Sequence, residues 1–416
     1  METLLRTRMK RASAYDGFAV GLVAASSLSV LIASVYDSTI LRGLPRGGLE
    51  ITIALLPLIG LVLSWGTLQG RRARVGPIGL AASYAVVTLI ATMLHPQDAS
   101  LATSLSPAAI ALVFAFVGSL LSAREFFAIG RAIVAIALVQ VLLAVAEVQL
   151  QLPWAIGVAA TEQDGYLIRQ NLIMDGFLRA SGAAGHPILL GVGCTVGILF
   201  AASPRTVRSL RVRMLIVAIL AWGVLLSGSR SSVAALALAV VVALVHPNSP
   251  VRRDVRVVLL LAAVPLAVVY VLATLDDARE VSPFSLSNRV SALSRFASAM
   301  NRPLGEMLFG QARAFALETV ADNQFLTTTG RFGIAGLIVI LGVIVVGVTA
   351  RRPLVSAAFA SLAFLFLSFE VLSFGYTAIL FWFLAGAARP FDGNGDGDRQ
   401  LEARPRRLRS ARAVLR

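Results

Sequence analysis

Four short strings hold most of the residues able to handle an anionic, phosphate-bearing substrate. The first is Arg179-Ala-Ser-Gly-Ala-Ala-Gly-His-Pro-Ile-Leu-Leu-Gly191. Arginine offers a planar, permanently charged fork that matches phosphate. Small residues let backbone N–H groups approach an anion, and Pro187 suits the first turn of a helix whose positive end would face it. His186 is a candidate substrate contact here, and the plainer reading is a helix cap with His186 as a satisfied polar neighbour. The second string is Leu226-Ser-Gly-Ser-Arg-Ser-Ser232. Serines and a glycine around Arg230 suit a phosphate cradle, with Ser229 among its candidate ligands. A lone arginine at this place also suits snorkelling to lipid phosphate. The third string joins Asn288-Arg289 to Pro303-Leu-Gly305 and Leu308-Phe-Gly-Gln-Ala-Arg-Ala-Phe315. The fourth is Asp322-Asn-Gln-Phe-Leu326, followed by Gly330, Gly333 and Gly336. Asp322 is either a helix N-cap or a general base, and Asn323 beside it is a candidate substrate contact.

Apolar helices must position these strings. A bilayer-crossing helix needs about 20 mostly apolar residues, and about twelve segments approach that length. They lie near 17–35, 49–65, 75–94, 105–122, 128–148, 186–202, 212–228, 231–246, 256–274, 332–350, 354–370 and 374–388. The expected fold is therefore all-α: a polytopic membrane domain over 17–388, between an N-terminal tail at 1–16 and a basic tail at 389–416. Only two connections are long, 149–185 and 275–331, and loops of that length are usually functional or disordered. Within the second, Val290, Leu293, Phe296 and Met300 form a helical stripe behind Ser287. That stripe reads as an amphipathic helix on the membrane or as a packed cap.

Composition agrees. Of 416 residues, 57% are hydrophobic and 14% charged, with mean hydropathy +0.81. A soluble globular protein carries about 25% charge, so a soluble enzyme or nucleic-acid binder is excluded. With the N-terminus placed in the cytoplasm and the spans alternating, 26 of the 37 basic residues fall inside. The inner face is then +18 and the outer face −3. The sequence pI near 11.3 is thus a topology signal and an attraction to anionic membrane lipids. Both termini are expected in the cytoplasm, and both long loops outside. The span interiors read as almost free of ionisable groups, which argues against an ion-coupled transporter or a flippase. One cysteine, Cys194, excludes a disulfide framework. His95, His186 and His246 are too far apart for a histidine zinc site, and Asp276-Asp277 is the only adjacent acidic pair.

In their order and outer placement, the four strings resemble the O-antigen ligase and O-antigen polymerase superfamily of bacterial membrane proteins. The carrying residues are Arg179-Ala-Ser-Gly182 with His186-Pro187, then Ser227-Gly-Ser-Arg230, then Arg289 with Pro303 and Gly305, then Asp322-Asn323 with Phe325-Leu326. The resemblance spans about residues 179–336; the earlier spans match in hydropathy alone. It implies a GT-C-like, metal-independent glycosyltransferase without a cofactor, in the bacterial plasma membrane. Such enzymes take glycan from a polyprenyl-diphosphate donor on the outer side and pass it to a glycan acceptor. A chain-length regulator is the partner that a polymerase would use. By motif, Arg179 and Arg230 correspond to diphosphate-binding residues, with Arg289 a weaker counterpart. Asp322 occupies the slot where ligases carry histidine, which leans the reading to a polymerase of lipid-linked repeat units. Ala312 departs from the usual second glycine of the third motif. The alternatives are ligase-like transfer to a lipid or protein acceptor, and transport of a lipid-linked glycan.

Overall fold

The structure is a computed structural model that describes residues 19–36, 46–69, 71, 73, 75–95, 101–150, 179–249, 303–311 and 323–388. These residues form helices and turns, with no strand among them. In chain order the helices are α1 (Val20–Tyr36), α2 (Arg46–Leu63), α3 (Trp65–Leu68), α4 (Val75–Leu94), α5 (Leu101–Leu120), α6 (Ala123–Leu150), α7 (Pro187–Ala201), α8 (Leu210–Leu226), α9 (Arg230–Val245), α10 (Leu304–Phe309), α11 (Gln324–Val348), α12 (Pro353–Leu365) and α13 (Gly375–Ala387). Every expected span but one coincides with one of these; 256–274 lies outside the described residues. By length and composition, three of the described helices, α4, α6 and α11, are long and apolar enough to cross a membrane.

Helices that are apolar on all sides belong in the centre of a bundle. α13 is buried at every position, and α7 at every position but Ile188. α13 meets α5 at Gly118 and Gly386. A Cβ on Gly118 would stand 2.3 Å from the Phe383 carbonyl oxygen, and one on Gly386 2.2 Å from that of Ala115. Only small residues allow backbones to pack so closely. A chain of rings, Tyr84–Trp382–Phe381–Phe366 and Phe359, fills the neighbouring space. Outer helices instead turn large apolar side chains outward, among them Leu63, Met93, Leu142, Leu215, Ile338 and Val345.

Contacts at the helix ends fix which ends lie together. At one end, Glu125 takes hydrogen bonds from the Ala19 N–H at 2.8 Å and from Arg71 at 2.5 and 3.0 Å. It also closes a capping box with Ser122, whose N–H donates to it at 2.9 Å. Arg352 lies over the rings of Phe126 and Phe127, and Arg205 over Phe127. His246 Nε2 pairs with the Ala350 carbonyl at 2.9 Å. This end thus gathers the start of α1, the α2–α4 and α7–α8 connections, the end of α9 and the α11–α12 turn. The helices alternate in direction between it and the opposite end.

α11 departs from the sequence reading. It begins at Gln324 rather than near 332, which places Arg331 about two turns inside the helix. The span interiors are therefore less free of charge than the composition suggested. α11 is also broken. Gly333 adopts φ +66°, and α10 packs into the break, with the Gln311 N–H donating to the Gly330 carbonyl at 2.9 Å. A Cβ at Gly333 would stand 2.2 Å from the Leu308 carbonyl oxygen, so both the backbone angle and the space require glycine there.

Candidate functional site

The first and second strings are bonded to each other at the end opposite Glu125. The Ala180 N–H donates to the Leu226 carbonyl, and Arg179 Nε donates to the Ser227 carbonyl, both at 3.0 Å. Ser227-Gly228-Ser229 is the whole connection between α8 and α9, with Gly228 at φ +56°, so Arg230 opens α9 just beyond the carbonyl that Arg179 grips. Below the turn, Gly191 of α7 lies so close to Ser232 that a Cβ would stand 2.2 Å from its hydroxyl oxygen. Arg179 and Arg230, far apart in sequence, therefore share one end of the bundle and one turn. Burial lowers Arg179 to about 10, which leaves it a cation at neutral pH. Its Nη groups make no hydrogen bond among the described residues.

The Ser181, Gly182 and Ala183 N–H groups of the small-residue loop are turned to acceptors within the protein. The Ser181 and Gly182 N–H groups donate to Glu147 at 2.9 and 2.8 Å, and the Ala183 N–H donates to Gln140 Oε1 at 2.7 Å. Gln140 also donates to the Ser34 carbonyl on α1, at 3.1 Å. The Ile188 N–H is taken by His186 Nδ1 at 3.2 Å, which makes His186 the N-cap of α7. The carboxyl group that these donors hold is the protein's own Glu147, so the Ser181 and Gly182 N–H groups are taken before any phosphate arrives.

Ser229 is engaged in the same way. Its hydroxyl oxygen caps α9 by accepting from the Ser232 N–H at 3.3 Å and from the Ser232 hydroxyl at 2.9 Å; it pairs with Ser231 at 3.1 Å. The serines of the second string thus build the turn that carries Arg230.

The fourth string reaches the first through the α12–α13 loop. Asn323 Oδ1 accepts from the Phe325 and Leu326 N–H groups at 3.0 and 3.1 Å, and Nδ2 donates to the Leu367 carbonyl at 3.2 Å. Asn323, not Asp322, is therefore the N-cap of α11. Gln324 is fastened to the same loop. Its N–H donates to the Phe366 carbonyl at 2.8 Å, and its Oε1 accepts from the Leu372 N–H at 2.7 Å. Glu370 accepts from Thr327 and Ser373 hydroxyls at 2.7 and 2.8 Å. Phe369 and Phe374 of this loop stack on each other, 4.8 Å apart, and hold the His186 ring at 5.2 and 6.0 Å.

Arg179, His186, Ser229, Arg230 and Asn323 thus belong to one connected end of the bundle. Arg289 and Asp322 lie outside the described residues. Sequence reading missed the support beneath them: Gln140 and Glu147, seven residues apart on α6, and the Phe369–Phe374 loop. The spacing of Gln140 and Glu147 was a usable signal, since two polar residues two turns apart on an apolar helix share a face.

Glu147 gives a stability prediction. Replacing it with alanine leaves two buried backbone N–H groups without an acceptor, at about 1–3 kcal/mol each. Glu147→Ala should lower the thermal unfolding midpoint of the detergent-purified protein clearly, and Glu147→Gln, which keeps one acceptor oxygen, should lower it less. Equal midpoints for wild type and Glu147→Ala would refute this role. No family model matches the chain, and no curated protein does.

Proposed function

We propose that this chain is a polytopic glycosyltransferase of the bacterial plasma membrane. It polymerises polyprenyl-diphosphate-linked repeat units into a cell-surface polysaccharide on the outer side. The observation that carries the reading is the bonding of Arg179 to the turn that holds Arg230. It brings two arginines from separate strings to the same turn at one end of an apolar bundle. Supporting it are three helices of membrane-crossing length, the outward-facing apolar side chains and the alternation of helix direction. We read the remaining apolar helices and the segment 256–274 as further crossings, about twelve in all. The Glu125 end faces the cytoplasm with both termini, since the basic residues concentrate there.

The chemistry follows from the residues. An acceptor sugar hydroxyl attacks the anomeric carbon of the donor glycan. The bond from that carbon to the phosphate oxygen breaks, and the diphosphate leaves with the electron pair. Arg179 and Arg230 stabilise the charge that develops on it, and Asp322 takes the hydroxyl proton. Aspartate in that slot, where ligases carry histidine, favours polymerase over ligase. Cells lacking the protein should lose long-chain surface polysaccharide and accumulate single-unit lipid-linked glycan, as gel analysis of the two pools would read. An unchanged chain-length distribution would overturn the proposal.

A further inference from the structure

Resting on that reading, the geometry points to a specific role for His186: a neutral hydrogen-bond donor, through Nε2–H, to an anionic oxygen of the donor diphosphate. The tautomer is the starting point. Nδ1 accepts the Ile188 N–H at 3.2 Å, so its lone pair is occupied and the ring proton resides on Nε2. Protonating Nδ1 would break the cap of α7. His186 therefore cannot serve as a base at either nitrogen: Nδ1 is engaged, and Nε2 already carries a proton. It can only donate.

Orientation is equally constrained. Phe369 stacks on the ring at 5.2 Å with planes 29° apart, and Phe374 approaches at 6.0 Å. The ring is half-buried, and Nε2 has no hydrogen-bond partner among the described residues. Among the described residues, a rigid donor is thus left without an acceptor at the end of the bundle where Arg179 and Arg230 lie. A neutral donor beside a fixed cation suits a diphosphate oxygen. It adds a directed hydrogen bond without adding repulsion between like charges. His186 donates throughout and transfers no proton.

Two substitutions separate the nitrogens. Asparagine places an oxygen where Nδ1 stood and can cap α7, but it has no group at the Nε2 position. Glutamine reaches the Nε2 position with an N–H donor and caps poorly. The measurement is binding of undecaprenyl diphosphate to the full-length protein in nanodiscs, alongside thermal unfolding. His186→Asn should unfold like wild type yet bind about ten- to a hundred-fold more weakly, the usual effect of losing a hydrogen bond to a charged group. His186→Gln should unfold at a lower temperature yet bind within a few-fold of wild type. Wild-type binding by the Asn variant would reduce His186 to a cap, and equal losses in both variants would show that the ring, not the donor, is required. Either result sinks the inference and leaves the transferase reading standing. If wild-type protein does not bind the probe at all, the transferase reading itself fails, and this inference with it.

Discussion

Replacing Arg230 with alanine should abolish polymer formation while the protein still folds and inserts. Arg230 is the first residue of α9, and the turn before it is built by Ser227, Gly228 and Ser229 through their own hydrogen bonds. Those hydrogen bonds do not use the guanidinium. What is lost is a fixed cation where the diphosphate takes on charge. Removing one such electrostatic contact costs about 3–4 kcal/mol, or a hundred- to a thousand-fold in rate. Arg230→Lys should recover little, because lysine lacks the planar fork. Arg179→Ala should lose as much rate and also some stability, since its Nε holds the Ser227 carbonyl. Rates are read as lipid-linked chain extension in isolated membranes, normalised to inserted protein. Near-normal extension by Arg230→Ala would mean that Arg230 only snorkels to lipid phosphate.

The second large effect is expected at Asp322. An aspartate heading a helix is ambiguous in sequence, because it caps as well as it accepts protons. The structure gives the cap to Asn323, which receives two N–H groups of the first turn. Asp322→Asn should therefore leave the unfolding midpoint unchanged and lower the rate by about 10²–10⁴, the usual contribution of a general base. Asn323→Ala should do the reverse, destabilising α11 by about 1 kcal/mol with a smaller effect on rate. If Asp322→Asn polymerises at the wild-type rate, another group takes the proton.

The helices were legible because apolar runs of that length have few other uses, and the α8–α9 turn because serine and glycine interrupt one such run. The start of α11 was not legible. Gln324, Thr327, Thr328 and Thr329 read as loop, yet their side chains are satisfied within the fold. Gln324 Nε2 donates to Thr328 at 3.0 Å, and Thr329 donates to the Phe325 carbonyl at 2.8 Å. Polarity there serves packing against the α12–α13 loop, which no local pattern announces. The small-residue string beginning at Arg179 misled for a related reason. Its composition does suit an anion, but its N–H groups go to the carboxyl group of Glu147, contributed by a helix that ends almost thirty residues earlier. The aromatic seat of His186 was hidden for the same reason, since Phe369 and Phe374 reach it only through the tertiary fold.

Purified protein in liposomes would be given a synthetic polyprenyl-diphosphate oligosaccharide repeat unit, and both products would be followed by mass spectrometry. Lipid-linked glycans of two or more units should appear together with one released polyprenyl diphosphate per bond formed, and neither product with Arg230→Ala. Intact donor after prolonged incubation with folded wild-type protein, or equal turnover by wild type and Arg230→Ala, would contradict the proposed transfer.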